Sequence, residues 1–300
     1  MDVEELKKKN LLHLQDVYKF YGSKLILDNI DMSVAHGELC TMVGPSGCGK
    51  STLLRLILGQ EQASSGIVLV EGGDISVPDR QRGIVYQKYS LFPHLTVLEN
   101  ILLGKKLELS WWERHKKKQE LKDEGCYFLK RIGLEEHADK YPYELSGGMQ
   151  QRVAIAQALI MRPKILLMDE AFGALDPTAR ESMQLFLLEL WEELKMTVFF
   201  VTHDLEEALF LGTRVLVLSQ YYTDARVQEN PHCVRGAKVV ADYFLPKTAQ
   251  STRVKQHPDF IALVNQIRKE GFDPSYVKKI TEFNLKHPDS FQTLTPEERG

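Results

Sequence analysis

The chain is poor in the features that mark several protein classes. Its 300 residues include only four cysteines, Cys40, Cys48, Cys126 and Cys233, with no CxxC pair and no histidines at zinc-finger spacing. A disulfide scaffold and a structural zinc site are therefore not expected, and isolated reduced thiols fit a cytosolic protein. No apolar run approaches the roughly 20 residues that cross a bilayer, so work at a membrane needs a span from another chain. The opening MDVEELKKKN lacks the apolar stretch of a secretory signal. A basic excess is missing too. The formal net charge is -3, which speaks against a nucleic-acid binder held by bulk electrostatics. Neither an internal repeat nor a low-complexity tract is visible. What is present, 43% hydrophobic and 26% charged residues, is ordinary globular composition, long enough to bury a real core.

Residues 11–17 (LLHLQDV) and 67–71 (IVLVE) read as strands flanked by turn residues. Residues 38–43 (ELCTMV) read as a strand entering a glycine-rich loop, and 52–58 (TLLRLIL) as the apolar helix that follows. Residues 165–168 and 197–201 are further buried strands. Between them Met183, Phe186, Leu187, Leu190, Trp191 and Leu194 recur at helical spacing, a face that core packing explains. Residues 214–218 give one more strand. The alternation predicts an α/β fold with a largely parallel sheet. Residues 104–131, lysine-rich with Trp111 and Trp112 near their start, read as an amphipathic helical insertion whose Lys116-Lys117-Lys118 run is a solvated face. A long loop is expected over 220–236 and a final strand over 237–246. From Lys247 the chain is polar, with helical spacing in Phe260, Leu263, Val264 and Ile267.

The chemistry is concentrated in Gly44-Pro45-Ser46-Gly47-Cys48-Gly49-Lys50-Ser51, a full GxxxxGK[ST] match between a strand and a helix. Its glycines let backbone N–H groups converge on phosphate oxygens, and the helix points its positive end at the same anion. Lys50 is expected to neutralise β/γ-phosphate charge and the Ser51 hydroxyl to ligate Mg²⁺. Asp169 and Glu170 close a buried strand at the end where α/β sheets bind ligands. Asp169 suits the Mg²⁺ shell, and Glu170 suits polarising the attacking water.

Leu145-Ser146-Gly147-Gly148-Met149-Gln150-Gln151-Arg152 resembles the signature motif of ATP-binding cassette (ABC) ATPases. Tyr21 lies upstream like the aromatic that stacks on adenine, Gln87 resembles the Q-loop glutamine, Ala174-Leu175-Asp176 the D-loop and His203 the switch histidine. Each has a plainer reading alone: Tyr21 as a loop aromatic, Ser146 as an N-cap, Asp176-Pro177 as an N-cap and N1 pair. Six motifs in order carry the set, over residues 11–246.

The resemblance implies a P-loop NTPase core with a mainly parallel sheet, an antiparallel β subdomain and an α-helical subdomain near residues 90–160. A tail, 1–10, precedes this domain and a helical extension, 247–300, follows it. It implies ATP and Mg²⁺ as cofactors. Gly44, Pro45, Ser46, Gly47, Cys48, Gly49, Lys50, Ser51 and Thr52 take the phosphates, and Ser51, Gln87 and Asp169 serve the metal. Glu170, His203 and Lys50 are the catalytic set. Ser146, Gly147, Gly148, Gln150 and Asp176 act across a head-to-tail dimer, formed with a second copy or a paralogous cassette. Two positions depart from the family pattern. Gln157 stands where arginine is usual and Ala171 where proline is usual, with small packing effects expected.

The segment from Leu91 to Asn100 resembles the part of importer ATPases that receives a cytoplasmic helix of the membrane subunit. This implies an importer subunit on the cytoplasmic face of the membrane, partnered by a permease and indirectly by a substrate-binding protein, with no nucleic acid. The run from Asp169 to Asp176 (DEAFGALD) resembles that of nitrate, sulfonate and taurine importers, and related runs occur in polyamine, amino-acid and sugar importers. The competing class, a non-transport ABC protein acting on ribosomes or DNA, usually carries two cassettes or coiled-coil arms, and neither is visible.

Overall fold

The computed structural model describes residues 10–75, 77–87, 90–224, 226, 234–245 and 252–279. Strands β1 (Asn10–Tyr21) and β2 (Lys24–Ala35) form an antiparallel hairpin that turns at Gly22, φ 58°. Strand β3 (Leu39–Val43) leads into helix α1 (Lys50–Leu58), and β4 (Ser65–Val70) returns antiparallel to β1, edged by β5 (Gly73–Asp74). After β6 (Arg82–Tyr86) come helices α2 (Val97–Glu108), α3 (Trp111–Lys116), α4 (Lys118–Arg131) and α5 (Gly147–Leu159), then β7 (Ile165–Asp169). Helix α6 (Pro177–Leu194), β8 (Thr197–Thr202), α7 (Leu205–Leu211) and β9 (Arg214–Ser219) follow. The chain then runs through β10 (Tyr222–Thr223), β11 (Lys238–Phe244), α8 (Pro258–Phe272) and β12 (Lys278–Lys279). Among the described residues no helix is long and apolar enough to cross a membrane.

The chain divides into two compact units, Arg80–Leu187 and the remainder. In the larger, β3 runs parallel to β8 on one side and β9 on the other, and β11 pairs antiparallel with β9. Every residue of β3, β8 and β9 is buried, the pattern of parallel strands covered on both faces. In the smaller unit β6 and β7 run parallel, in register from Arg82↔Ile165 to Tyr86↔Asp169.

The helical insertion expected over 104–131 is broken. At Ser110 a new helix starts: its hydroxyl accepts from the Glu113 N–H at 3.4 Å, and the Glu113 carboxylate accepts from the Ser110 N–H at 2.9 Å. Trp111 and Trp112 stand exposed on the short helix that follows. Within the loop expected over 220–236, Tyr222–Thr223 forms β10, paired in parallel with β12. Residues 225 and 227–233 of that loop, 1–9 of the expected tail, and 246–251 and 280–300 near or in the extension lie outside the described residues.

The extension's helix is part of the larger unit's core. Val264 and Ile267 of α8 pack among Val43, Leu209, Val215 and Val217. The Ser219 hydroxyl donates to the Gly271 carbonyl at 2.7 Å, and Tyr243 donates to Glu270 at 2.6 Å. Because Ile267 is fully buried, Ile267→Ala is expected to lower unfolding free energy by about 2–5 kcal/mol in urea titration. A loss under about 0.5 kcal/mol, the range of surface substitutions, would show that α8 merely rests on the surface.

A second brace is ionic. Arg214, fully buried at the start of β9, donates to both carboxylate oxygens of Asp242 on β11 at 2.9 and 3.1 Å and to the Ser33 carbonyl of β2 at 2.7 Å. Burial opposes its charge, but Asp242 and Glu38 beside it outweigh burial and hold the guanidinium firmly protonated.

Candidate active site

In the larger unit, the buried strand β3 delivers the chain to the glycine-rich loop. A Cβ on Gly44 would clash with the Leu218 carbonyl and sit 2.8 Å from the Cys48 sulfur, so this position admits only glycine. Gly49 is the N-cap of α1 at φ 105°, with Leu27 and Ile26 pressed against the space a side chain would need. No side chain caps the N-terminus of α1 and no acid lies in its first turn. Its orphan N–H groups and positive dipole end are thus left to an anion. Lys50 is almost fully buried, and its ammonium donates to the Gly44 and Pro45 carbonyls at 2.8 and 3.1 Å. Those bonds hold the charge at the mouth of the same loop. Ser46, Gly47 and Ser51 are exposed there, Pro45 is half-buried, and Cys48 and Thr52 are buried. These are the features a triphosphate cradle requires.

Tyr21 ends β1 with an exposed ring. His203 follows β8 and is exposed at an anchored corner. Beside it, the Thr202 hydroxyl donates to Glu207 at 2.7 Å and accepts from the Asp204 N–H at 3.1 Å. Asp204 in turn caps α7 through the Glu206 and Glu207 N–H groups.

In the smaller unit, the Tyr86↔Asp169 register sets Gln87 and Glu170 side by side at the ends of two parallel strands. The Gln87 amide lies over the following turn, 3.1 Å from where a Gly173 Cβ would stand. Glu170 has φ 47°, a left-handed conformation uncommon outside glycine and asparagine. The Gly173 N–H, bonded to its carbonyl at 3.0 Å, helps hold it there, and such strain clusters at functional positions. Asp176 caps α6, accepting from the Thr178 and Ala179 N–H groups at 3.1 Å each. Arg180 fixes the same turn through the Phe172 and Leu175 carbonyls.

Ser146 caps α5, its hydroxyl accepting from the Met149 N–H at 3.3 Å. Gly147 and Gly148 open the helix, and no acid lies in its first turn. This is a second helix end open to an anion. The Gln150 amide nitrogen donates to the Pro142 and Leu145 carbonyls at 2.9 and 3.2 Å, so in this structure it shapes the turn before the signature. Ala171 is fully buried beside Glu170 and Gln157 half-buried on α5. No group of three or more histidines, cysteines or acids able to hold a metal occurs among the described residues.

Two sets of residues escaped sequence reasoning. Asn100 is fully buried. Its amide nitrogen donates to the Phe92, Leu95 and Thr96 carbonyls and its oxygen accepts from the Phe92 N–H at 2.7 Å. One side chain thereby locks the segment after Gln87 and leaves Phe92, Pro93 and His94 exposed on it. The only signal was a polar residue on the apolar face of α2. The other set, Lys19, Arg55 and Glu61 around Tyr21, left none, because Glu61 lies 40 residues from Tyr21 in sequence.

A family model described as ABC transporter matches residues 27–173. The nitrate import ATP-binding protein NrtD of Synechocystis sp. is 41% identical over 82% of this chain and 88% of its own length. The spermidine/putrescine import ATP-binding protein PotA of Pasteurella multocida is 38% identical, over 84% and 68%. Among solved structures, the dimeric post-hydrolysis state of the ATP-binding cassette MJ0796 bound to ADP and Pi has a TM-score of 0.62 at 31% identity, covering 79% of this chain and 99% of that one. The chain therefore belongs to the ABC transporter family as an ATP-binding, ATP-hydrolysing subunit.

Proposed function

We propose that the chain drives an importer by closing on Mg-ATP as a head-to-tail dimer and reopening after hydrolysis. The observation that carries this is the phosphate cradle: a loop whose Gly44 and Gly49 admit no side chain, an uncapped, acid-free helix end, and the Lys50 ammonium held at its mouth. Lys50 and the loop N–H groups take up β- and γ-phosphate charge. The Ser51 hydroxyl, Asp169 and Gln87 are the oxygen donors that would hold Mg²⁺, which would supply charge neutralisation at the phosphates. Glu170 orients and polarises the attacking water, and His203 senses the γ-phosphate. Ser146, Gly147 and Gly148 of a second copy close over that phosphate, with Asp176 at the same junction. Catalysis is then positioning and charge stabilisation, and loss of the γ-phosphate releases the dimer.

The transport side rests on the rigid segment carrying exposed Phe92, Pro93 and His94, suited to receive a helix of a membrane permease. The import names of the two relatives support the same reading. The chain then works peripherally on the cytoplasmic face, with a substrate-binding protein feeding the permease. For the cargo we propose the nitrate, sulfonate and taurine class, on the DEAFGALD run and the nitrate-import relative, with a polyamine as the alternative that the spermidine/putrescine-import relative supports. Affinity capture from solubilised membranes is expected to recover a multi-span protein, and recovery of ribosomes alone would overturn transport.

Lys50→Ala is expected to weaken Mg-ATP binding by roughly 10- to 150-fold, the worth of a charge-assisted phosphate contact, in titration calorimetry. Unchanged affinity would remove Lys50 from the site.

A further inference from the structure

We propose that Glu61, with Arg55 and Lys19, is a positioning clamp that aims the ring of Tyr21 at the nucleotide base and so sets the affinity for ATP. The proposal rests on the reading of Tyr21 as the adenine platform. The Tyr21 hydroxyl donates to Glu61 Oε2 at 2.6 Å and accepts from Arg55 Nη2 at 3.2 Å. Arg55 Nε donates to Glu61 Oε1 at 2.6 Å, so carboxylate, guanidinium and phenol close one ring of hydrogen bonds. Lys19 adds an ion pair to Glu61 Oε2 at 3.0 Å and holds its ammonium 5.2 Å from the Tyr21 ring centroid.

The clamp is tied to the phosphate cradle through α1. That helix begins at the glycine-rich loop and carries Arg55, which also donates to the Thr52 hydroxyl at 3.2 Å. Glu61 lies just past its end, where the Glu61 N–H donates to the Arg55 carbonyl at 3.3 Å. One helix therefore presents the phosphate loop at its start and anchors the tyrosine near its end, fixing the spacing that a molecule of set length must match. Lys19 and Glu61 are the partly covered members, at 12% and 24% exposure, while Tyr21 stays 43% exposed, so the network fixes a side chain that packing alone leaves open to solvent. Burial alone would raise the Glu61 carboxyl, but hydrogen bonds from Tyr21, Lys19 and Arg55 outweigh it and hold it at about 2. The clamp is thus ionised at neutral pH. A ring already fixed loses less rotamer freedom when a base stacks on it, and that saving appears as affinity.

The test compares wild type, Tyr21→Ala, Tyr21→Phe, Glu61→Gln and the Tyr21→Phe/Glu61→Gln double variant by KM and kcat for ATP. Binding of inorganic tripolyphosphate, which has no base, is measured alongside. Tyr21→Ala is expected to raise KM most. Tyr21→Phe and Glu61→Gln should each raise it about 3- to 10-fold, the worth of roughly one hydrogen bond. In both, kcat and tripolyphosphate affinity should hold, and the double variant should be no worse than the singles. If Tyr21→Ala raises KM while Tyr21→Phe and Glu61→Gln do not, the clamp is wrong and the platform stands. If Tyr21→Ala leaves KM unchanged, the platform reading fails first. Equal loss of tripolyphosphate and ATP binding in Glu61→Gln would make Glu61 a support of the loop rather than of the ring.

Discussion

Glu170→Gln is expected to bind Mg-ATP with near wild-type affinity and to hydrolyse it about 10²- to 10⁴-fold more slowly, the range that a positioned general base contributes. The substitution keeps shape and length and removes only the charge that polarises water. Among the described residues, positive φ is shared with five other non-glycine residues, Glu71 included, and Glu170 is set apart by its place at the end of β7. Glu170 directly follows the fully paired strand β7, at φ 47°, with the Gly173 N–H bonded to its carbonyl. Phosphate release under saturating ATP measures the effect, and turnover within about threefold of wild type would take Glu170 out of the reaction.

The second large effect concerns folding. Asp242→Ala is expected to lower unfolding free energy by about 3–5 kcal/mol, because it leaves the buried Arg214 guanidinium without its bidentate partner. The pair joins β9 to β11, and the Ser33 bond ties both to β2. Replacing both partners of the bidentate pair, as Arg214→Met with Asp242→Leu, should cost less than Asp242→Ala alone, since apolar residues of similar volume suit a dry site better than a guanidinium left with Glu38 at 3.4 Å as its remaining carboxylate. Denaturant unfolding of the wild type and the two variants reads this directly. Equal losses from the single and double variants would mean that the pair is not the cause.

These effects separate what one sequence discloses from what it hides. The phosphate loop was legible because its requirements are local: Gly44 and Gly49 are dictated by backbone geometry within eight consecutive residues. The continuous apolar runs of β3 and β8 were legible because both faces of those strands are covered. Strand β2 was not, since Asp28, Asn29, Asp31 and Ser33 interrupt its apolar pattern. Each is buried, and Asp28 is paired with Tyr222 and Arg226 nearly 200 residues away. The break at Ser110 was hidden for the opposite reason: its capping box is local but sits inside a lysine-rich run that reads as one helix. Helix α8 showed its period, but not that Gly271 lets its end lie against Val217. The tyrosine clamp was invisible because it is assembled entirely by the fold.

The most direct test of the account is the mass of Glu170→Gln in sedimentation velocity. With Mg-ATP the species should double in mass, with Mg-ADP it should remain single, and adding Ser146→Arg to the same chain should abolish the doubling while ATP still binds. A monomer saturated with ATP, or a dimer indifferent to the signature serine, would contradict the claim that one copy's serine-glycine helix end closes over the triphosphate held by another.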